Sequence, residues 1–359
     1  MRISIPSLPQ TQRLLPTVTD VQEAVEQLYQ LLDHNRRVLC ITGAGVSVGS
    51  GISSYRGPNG VYVNKGYRPV YYHEFMHQGA FGDLKRRRYW ARSYLGYPSV
   101  RLAQPNATHQ VLAALQHTKY LDQLITQNVD RLHHVATDSI GGYTSSIHEL
   151  HGSLGEVRCT SRHDPPYGHD KRWWEARHTR SFGPIDRFFP TPVGSTDVHH
   201  GCGFVCSRDA LQDKLTELNP DWHAWAERLE REPHLSLRRN PDGDVQLEGV
   251  AYETFQYPSC PACGGILKPD VVFFGENVRR SLRHTCERLV EEADALLLVG
   301  TTVATHSAYR LVRDAVEADK PVILLNQGQT RADAIIDTRI GLDSSTVLQK
   351  LADNMALSI

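Results

Sequence analysis

The chain has 359 residues, enough for a large domain with its own core and a smaller module. Its net charge is −1, so we expect no bulk attraction to nucleic acid or to an anionic membrane surface. No apolar run approaches the ~20 residues that span a bilayer, and seven cysteines is an odd number, which favours free thiols or metal ligands over a disulfide framework.

The first nineteen residues have some features of a targeting segment. They carry Arg2 and Arg13 with several hydroxyl residues, and no acidic residue precedes Asp20, as in a mitochondrial transit peptide. Three prolines in this stretch argue against an amphipathic helix. We therefore expect residues 1–19 to be a flexible leader or a transit segment.

A helix, a strand and a glycine-rich turn follow. Asp20 and Glu23 form a plausible capping pair, and apolar residues then recur at helical spacing as far as Leu32. The apolar run from Val38 to Thr42 indicates a strand buried on both faces. Gly43-Ala44-Gly45 comes directly after it, where backbone amides could approach a pyrophosphate closely.

The spacing of this turn departs from the usual dinucleotide fingerprint. Val48 stands where a third glycine is expected, and no acidic ribose ligand is obvious downstream. The residues alone therefore leave a phosphate loop and a tight structural turn both open. The aromatic and basic region that follows includes Lys85-Arg86-Arg87-Arg88, which we interpret as a solvated helix face, with no direct nucleic-acid binding expected.

Small or polar residues also follow the later predicted strands. Leu121 to Thr126 ends in Gln127-Asn128-Val129-Asp130, and His151-Gly152 comes some twenty residues later. Ligands of open α/β sheets bind beyond the carboxyl ends of strands, although Asn128 and Asp130 could simply cap the next helix. Two further strand ends share this pattern: Ala295 to Val299 before Gly300-Thr301-Thr302, and Pro321 to Leu325 before Asn326-Gln327-Gly328.

The cysteines suggest a metal site. Cys260-Pro-Ala-Cys263 is a zinc-knuckle half, because two thiolates separated by two residues in a tight turn fit one tetrahedral ion. The other half is irregular, since Cys159 is followed three residues later by Arg162. Cys202 and Cys206 lie about forty residues further on, and reduced buried thiols remain an alternative.

Taken together, the motifs resemble those of the sirtuins, NAD-dependent protein-lysine deacylases. The resemblance runs from about residue 22 to 350, with six motifs in the family's order, and it departs at Ser53, Ser54 and Gly57. It implies an α/β fold, with a Rossmann-like parallel sheet, helices on both faces and a small zinc-ribbon module. The implied NAD-binding domain covers 20–155 and 264–355, and the zinc module covers 156–263.

The resemblance also implies roles for single residues. His151 would be the general base, because a neutral imidazole with a pKa near ~6.5 suits that task, while Asn128 and Asp130 would position the ribose and the carboxamide. The alignment at Ser345 rests on one position only. The implied cofactor residues are Gly43, Ala44, Gly45, Ser47, Gly51, Ile52, Tyr55, Arg56, Tyr62, Gln127, Asn128, Val129, Asp130, Gly300, Thr301, Thr302, Asn326, Gln327, Gly328 and Ser345.

For the metal, the residues after Cys202 resemble those that follow the second zinc cysteine of class II sirtuins. This implies one structural zinc held by Cys159, Cys202, Cys260 and Cys263, with an insertion at about 160–201. The rival set replaces Cys159 with Cys206. Four thiolates close the coordination sphere and leave no open position for water.

The expected partners are acyl-lysine proteins, and no membrane partner or particular oligomeric state is indicated. Substrate peptide would add as an extended strand along Val271-Val272-Phe273-Phe274. Tyr89 and Arg92 lie on one helix face and match a Tyr-x-x-Arg of sirtuins that remove acidic acyl groups. Alternatively, Tyr89 packs in the core and Arg92 only bridges to a surface acid. This segment looks most like the mitochondrial class II branch.

Two other functions remain open at this point. The same site could transfer ADP-ribose to a protein nucleophile, an activity known within the family. A non-catalytic NAD-sensing module is the second alternative, and Ser53-Ser54 in the loop encourages it. The joint presence of His151, Asn128 and Asp130 favours an enzyme.

Overall fold

The computed structural model describes residue 8 and residues 16–57, 60, 62, 67–160, 178–179, 183–184, 202–232, 240–247 and 249–358. The predicted leader at 1–19 and the insertion at 160–201 therefore lie mostly outside the described residues. Within the described part of the chain, no helix is both long and apolar enough to cross a membrane.

The helices of the described residues are α1 (Val21–His34), α2 (Tyr72–Phe75), α3 (Ala80–Leu102), α4 (Ala107–His117), α5 (Leu132–Ser139), α6 (Arg208–Leu218), α7 (Pro220–Arg231), α8 (Arg280–Glu292), α9 (His306–Glu317) and α10 (Ser344–Asn354). The strands are β1 (Thr17–Val18), β2 (Val38–Thr42), β3 (Gln123–Thr126), β4 (Ile147–Glu149), β5 (Gly152–Cys159), β6 (His178–Thr179), β7 (Gly183–Pro184), β8 (Val205–Ser207), β9 (Leu267–Val271), β10 (Ala295–Val299), β11 (Val322–Leu325) and β12 (Thr338–Ile340).

The chain divides into two compact units. The larger comprises 4–65, 102–151 and 278–359, and the smaller comprises 1–3, 66–101 and 152–277. These boundaries differ from those expected from the sequence, because α3 and the segment after residue 263 join the smaller unit. The physical reason is its core, in which Trp90 and Tyr94 of α3 pack with Val157, Leu211 and Phe273.

The larger unit contains a seven-stranded parallel sheet. Its strand order is β1-β12-β11-β10-β2-β3-β4, and β2 pairs with β10 from Val38↔Ala295 to Thr42↔Val299. Alternate residues of β10 enter different cores, Leu297 with helices α1, α4 and α10 and Leu298 with α8 and α9. The predicted doubly covered parallel sheet is confirmed, and the strand order reverses between β2 and β10.

The smaller unit contains an antiparallel sheet with the order β8-β5-β9. Pro269 lies in the edge strand β9, where a missing backbone N–H leaves no central ladder bond unmade. Helix α7, which the sequence analysis missed, begins with Pro220 at its first residue and buries Trp222. Within the predicted insertion, the strands β6 and β7 pair in an antiparallel manner, His178 with Pro184 and Thr179 with Gly183.

Candidate functional site

Two glycine turns meet where the strand order of the larger unit reverses. The amide of Gly45 donates to the carbonyl of Gly300 at 2.8 Å, and a Cβ on Gly45 would lie only 2.6 Å from that oxygen. Gly300 itself has φ +58°, a backbone conformation that other residues seldom adopt. The loops after β2 and β10 can therefore approach only as glycines, and the crevice beyond them is where such sheets bind ligands.

The glycine turn continues as a 3-10 helix over Ala44–Ser50 and is anchored by α4. Asn106, the N-cap of α4, donates from Nδ2 to the Val46 carbonyl at 2.7 Å and to the Ser50 hydroxyl at 3.0 Å. Ser345 on α10 lies 3.0 Å from the Thr108 hydroxyl of α4. Ser345 therefore contacts the helix that holds the loop.

Ser47 lies at the centre of a buried polar network. Its hydroxyl donates to Asp130 at 2.7 Å and accepts from Asn128 Nδ2 at 3.1 Å. The other oxygen of Asp130 accepts the Leu132 amide at the start of α5. One oxygen of Asp130 thus bonds the first amide of α5, as the capping alternative expects, and the other holds the glycine loop. Its role toward a ligand stays a prediction.

Two histidines that the sequence analysis missed lie behind this network. The Asn106 amide donates to His109 Nδ1, so the proton of His109 is on Nε2, 3.4 Å from the Ser47 hydroxyl. His133 Nε2 contacts Thr42 Oγ1 at 2.9 Å, and burial lowers the pKa of His133 to about 3. Thr42 is a polar residue at the carboxyl end of β2. Such a residue needs a hydrogen-bond partner, and this is the signal that could have pointed to His133.

The far end of the glycine loop carries an aromatic and cationic cluster. Tyr55 and Tyr62 stack with ring centroids 5.2 Å apart, and the Arg56 guanidinium lies 4.9 Å from the Tyr62 ring centroid. Burial lowers the pKa of Arg56. Before this cluster, Gly51 has φ +82° and Ile52 is buried, so the loop turns back on itself there.

The turn after β11 is held by its own side chain. Asn326 Nδ2 donates to the Gly328 carbonyl at 2.8 Å, and Arg339 from β12 donates to the carbonyls of Gln327 and Gly328. The turn after β10 is joined to the centre of the sheet, because Gln127 Nε2 donates to the Thr301 hydroxyl at 2.7 Å. The strands β2, β3, β10 and β11 are parallel neighbours in the sheet. The polar and glycine residues predicted at their carboxyl ends therefore all lie at the same end of the sheet.

His151 follows β4 at the same edge. Its Nδ1 lies 3.1 Å from the Gln127 carbonyl, which can only accept, so the proton of the neutral ring is on Nδ1. Its Nε2 lies 2.9 Å from the Ser307 hydroxyl. Burial lowers the pKa of His151 to about 4, against a smaller opposing effect of the Gln127 bond. The lowered pKa keeps the ring neutral at cellular pH, as a general base requires, and the sequence does not show the desolvation that lowers it.

These residues fit a bound NAD. The glycines let the turns after β2 and β10 pack closely against each other at the crevice, Arg56 supplies a cation, and Asn128 and Asp130 supply amide and carboxylate groups for sugar hydroxyls. No acidic side chain among the described residues of the glycine loop 43–57 would repel the phosphates. The chemistry of this donor set is that of a dinucleotide site.

The smaller unit brings four thiols together. The ligand atoms of Cys159, Cys202, Cys260 and Cys263 all lie within 4.8 Å of one another, with Cys159 Sγ 3.4 Å from Cys263 Sγ and Cys202 Sγ 3.5 Å from Cys260 Sγ. A tetrahedral zinc with bonds of about 2.3 Å separates its sulfurs by about 3.8 Å. The four thiols therefore fit zinc.

This cluster decides between the alternative ligand sets. Cys206 lies in β8, where it pairs with Val157 of β5 and is buried in the core. All seven cysteines are free thiols. The Cys260 knuckle is closed by the Gly264 amide, which donates to the Cys260 carbonyl at 2.8 Å, and Gly264 has φ +73°. The rival set with Cys206 is wrong, because the four thiols that converge include Cys159 and not Cys206.

The predicted substrate segment 271–274 is held at both ends within the smaller unit. Lys268 Nζ donates to the Val271 carbonyl at 2.6 Å and pairs with Glu276 at 3.0 Å. Glu276 in turn accepts the Phe273 amide at 2.9 Å, and the Phe274 carbonyl accepts the Tyr72 amide. This places the backbone of Val271, Val272, Phe273 and Phe274 in a defined conformation.

Tyr89 and Arg92 have partners inside the same unit. The Tyr89 ring packs on Phe75 and Phe273, with centroids 5.4 and 5.1 Å away. Arg92 donates from Nη2 to Asp244 at 2.6 Å and from Nε to the Val245 carbonyl at 2.5 Å. This bonding favours the alternative in which both residues are structural.

The basic run at the start of α3 is not a solvated face, which corrects the sequence-based interpretation. Arg86 is buried and donates to the carbonyls of Phe75 and His77. Lys85 pairs with the buried Glu74 at 3.0 Å, and Arg87 pairs with Asp83 at 2.7 Å. Arg86 and Lys85 thus fasten α3 to α2 and the turn after it, whereas the Arg87–Asp83 pair lies within α3 itself.

The larger unit has a parallel sheet with glycine turns where the strand order reverses, and the smaller unit has four thiols that fit a zinc ion. This combination defines the class as dinucleotide-binding proteins with a zinc site. The profile of the Sir2 family matches residues 43–181 and 206–307. The unmatched residues 182–205 fall largely within the predicted insertion. The chain belongs to the Sir2 family.

Curated relatives match along nearly the whole chain. NAD-dependent protein deacylase SIR4 of Batrachochytrium dendrobatidis is 38% identical over 347 residues, which is 96% of this chain and 97% of that protein. NAD-dependent protein deacylase SRT2 of Arabidopsis thaliana is 34% identical over 343 residues, covering 94% of this chain and 78% of that protein. An NAD-dependent protein deacetylase of Xanthomonas axonopodis is 36% identical over 314 residues, or 87% of this chain and 86% of that protein.

Solved structures share the fold. A Sir2 homolog–NAD complex has a TM-score of 0.59 and 25% identity, covering 96% of this chain and 98% of that chain. A Sir2–p53 peptide–NAD complex has a TM-score of 0.60 and 20% identity, covering 93% and 99%. Because the peptide complex is only 20% identical, its similarity supports the fold alone.

Proposed function

We propose that this protein is an NAD-dependent protein acyl-lysine deacylase that releases nicotinamide and O-acyl-ADP-ribose. One observation carries the proposal: His151 is held as the neutral ring with its proton on Nδ1, so its Nε2 lone pair can act as a base. The named activities of the relatives support the same reaction class.

NAD, when bound, supplies the ADP-ribose group that accepts the acyl group and the nicotinamide that leaves. The loop residues from Gly43 to Tyr62 would hold its phosphates and nicotinamide end, and the turns after β10 and β11 would hold the adenosine half. Asn128 and Asp130 would orient ribose hydroxyls, because Ser47 already fixes both side chains. His151 takes up a proton at Nε2 while the Gln127 carbonyl keeps the ring from turning.

The zinc of this proposal is structural. Four thiolates fill a tetrahedral coordination sphere, so the ion would have no open position for substrate or water. It would join the end of β5 to the turn before β9, since Cys159 closes β5 and Cys263 precedes β9.

Substrate peptide would bind as an extended strand along residues 271–274. Backbone hydrogen bonds give such a mode affinity with little dependence on sequence. The carbonyl of Val271 and the amide of Phe273 are engaged by Lys268 and Glu276, and the carbonyls of Phe273 and Phe274 accept the amides of Glu276 and Tyr72. The backbone of Val272 would therefore be the part of the segment that faces the peptide. For Arg92 we propose the structural alternative and no role in choosing acidic acyl groups, because its bonds to Asp244 and the Val245 carbonyl support that alternative.

The test is incubation with NAD and a panel of acetyl-, longer-acyl- and glutaryl-lysine peptides, with nicotinamide and acylated ADP-ribose measured by mass spectrometry. We expect both products with the wild-type protein. His151→Ala should lower turnover about 10²–10⁴-fold, as general-base removal does, while NAD binding measured by calorimetry survives.

Three results would contradict the proposal. ADP-ribose attached to protein, without acylated ADP-ribose, would identify a transferase instead. NAD binding without nicotinamide release from any peptide would identify a sensing module. Turnover above a few per cent in His151→Ala would remove the base from His151.

We further propose a place in the mitochondrial class II branch. Arg2, Arg13 and the lack of acids before Asp20 support import, as do the segments 88–92, 240–244 and 267–270, which look like that branch. The measurement is the location of a reporter fused to residues 1–30. A cytosolic or nuclear reporter would sink this assignment and leave the deacylase proposal standing.

A further inference from the structure

A chain of hydrogen-bonded hydroxyl groups starts at His151 and continues within the larger unit. His151 Nε2 lies 2.9 Å from Ser307 Oγ, and Ser307 Oγ lies 3.3 Å from Thr305 Oγ1. Thr305 Oγ1 donates to Gln127 Oε1 at 3.4 Å. The far end is anchored, because Gln127 Nε2 donates to the Thr301 hydroxyl and to the Thr42 carbonyl.

The direction of the hydrogens follows from which atoms can only accept. Gln127 Oε1 is an acceptor, so the single hydrogen of Thr305 is committed to it. Thr305 Oγ1 therefore has lone pairs left, one of them used by the Ala308 amide at the start of α9. The hydrogen of Ser307 alone remains free to choose between His151 Nε2 and Thr305 Oγ1.

That choice matches the two charge states of His151. When the ring is neutral and no substrate hydroxyl is at Nε2, Ser307 donates to the single Nε2 lone pair. The Ser307 hydrogen turns to Thr305 when a substrate hydroxyl approaches, which leaves that lone pair to take the substrate's proton. When Nε2 has taken up a proton, its N–H donates to Ser307 Oγ, and the Ser307 hydrogen remains directed to Thr305. Every group keeps a partner in both states, no covalent bond of the protein breaks, and the acquired proton stays on Nε2.

We propose that Ser307 is a positioning residue that supports the base in both charge states by rotating its hydroxyl. The inference rests on the proposed role of His151. It addresses a problem that the site creates, since a half-buried imidazolium without an acceptor is unfavourable. The groups bonded in this chain, namely Gln127, Ser307 and Thr305, are uncharged, so no carboxylate among them takes over that task.

The first test needs no activity. In protein labelled with ¹⁵N-histidine at pH 7, the chemical shift of the unprotonated His151 Nε2 reports whether it accepts a hydrogen bond, and the resonance is assigned by its loss in His151→Asn. We expect a shift characteristic of a bonded nitrogen in the wild type and in Ser307→Thr, and of an unbonded one in Ser307→Ala. An unchanged resonance in Ser307→Ala overturns the contact.

The second test is kinetic. Because a charge-assisted bond exceeds a neutral one by about a factor of two in strength, Ser307→Ala should lower kcat by roughly 5- to 30-fold with little change in the KM for NAD. In Ser307→Ala, the acid limb of the pH profile of kcat/KM should move to lower pH, because the protonated His151 ring has lost its hydrogen-bond acceptor. Ser307→Thr should restore both.

The outcomes separate the two proposals. A changed resonance with unchanged kcat and pH profile overturns the supporting role of Ser307 and leaves the deacylase proposal intact. Equal losses of kcat in Ser307→Ala and Ser307→Thr also overturn the supporting role of Ser307, because the hydroxyl of threonine should restore the activity. Activity retained by His151→Ala overturns the base itself, and with it this inference, while the ¹⁵N shift still reports the contact.

Discussion

Arg92 lies on α3 with only 4% of its side chain exposed, and its charge is met within the smaller unit. Asp244 accepts from Arg92, from the Tyr67 hydroxyl at 3.2 Å and from Asn240 at 3.2 Å. Burial and the charge of Asp244 raise the pKa of the neighbouring Asp242 to about 7. Without Arg92, two buried carboxyl groups would lose their nearest compensating cation.

We therefore expect Arg92→Met to lower the free energy of unfolding by about 3–5 kcal/mol, the usual effect of removing one partner of a buried ion pair. Chemical denaturation followed by fluorescence measures it. Losses of kcat/KM should be equal for glutaryl and acetyl peptides, because the residue acts through folding.

The double variant Arg92→Met with Asp244→Leu is the control, since it removes both charges and should recover much of the lost stability. A stable Arg92→Met that selectively loses glutaryl turnover would restore the prediction of an acyl-binding arginine.

At the scale of the element, the zinc module depends on three separate chain segments. Cys159 ends β5, Cys202 precedes β8, and Cys260 with Cys263 forms a turn before β9. None of these strands is longer than eight residues. Such short elements gain much of their stability from a shared metal, because binding free energy becomes folding free energy.

Metal analysis should find one zinc per chain, and Cys260→Ser should lose it together with the cooperative thermal unfolding of the module. Atomic absorption and scanning calorimetry measure the two effects. The matched control is Cys206→Ser, which alters a buried thiol outside the cluster.

Zinc retained by Cys260→Ser, or lost from Cys206→Ser, would show that the ligand assignment is mistaken. The sheet of the larger unit should persist in Cys260→Ser, because its core contains none of the four cysteines.

For the whole molecule, buried histidines tie stability to pH. Burial lowers the pKa of His133 and His134 to about 3 and that of His151 to about 4, against an ordinary 6.5. The unfolded chain thus binds more protons at these sites between pH 4 and 6.5, so their contribution is complete above pH 6.5 and is lost as the pH falls. Asp242 has the opposite effect on stability, because its pKa is raised to about 7 and the folded chain therefore binds one more proton there than the unfolded chain does.

We expect the unfolding free energy to fall from pH 7 to 5.5, with a slope of up to about 3 kcal/mol per pH unit for two net protons. Urea unfolding in buffers with constant zinc measures it. His134→Gln removes one titrating group that takes no part in the proposed chemistry and should flatten the slope by about 1.4 kcal/mol per pH unit. An identical slope in that variant would exclude His134 as a source.

The sequence by itself determined the elements whose signals are local. The buried strands Val38–Thr42 and Ala295–Val299 were predicted with their observed bounds, because continuous apolar runs have no other place than a covered sheet. Asp20 caps α1 through the Glu23 amide, as the spacing of the two residues predicts. The family resemblance was confirmed because its motifs are contiguous stretches of chain.

Tertiary structure alone decided which distant residues meet. Gly45 against Gly300, Arg92 against Asp244 and His151 against Ser307 are contacts that no local pattern encodes. The same holds for the pKa of His151, since desolvation depends on everything packed around the ring. Residue type predicts which chemistry a side chain can perform, and the surrounding fold decides which partner its charge meets, an aromatic ring at Arg56 and a carboxylate at Arg92.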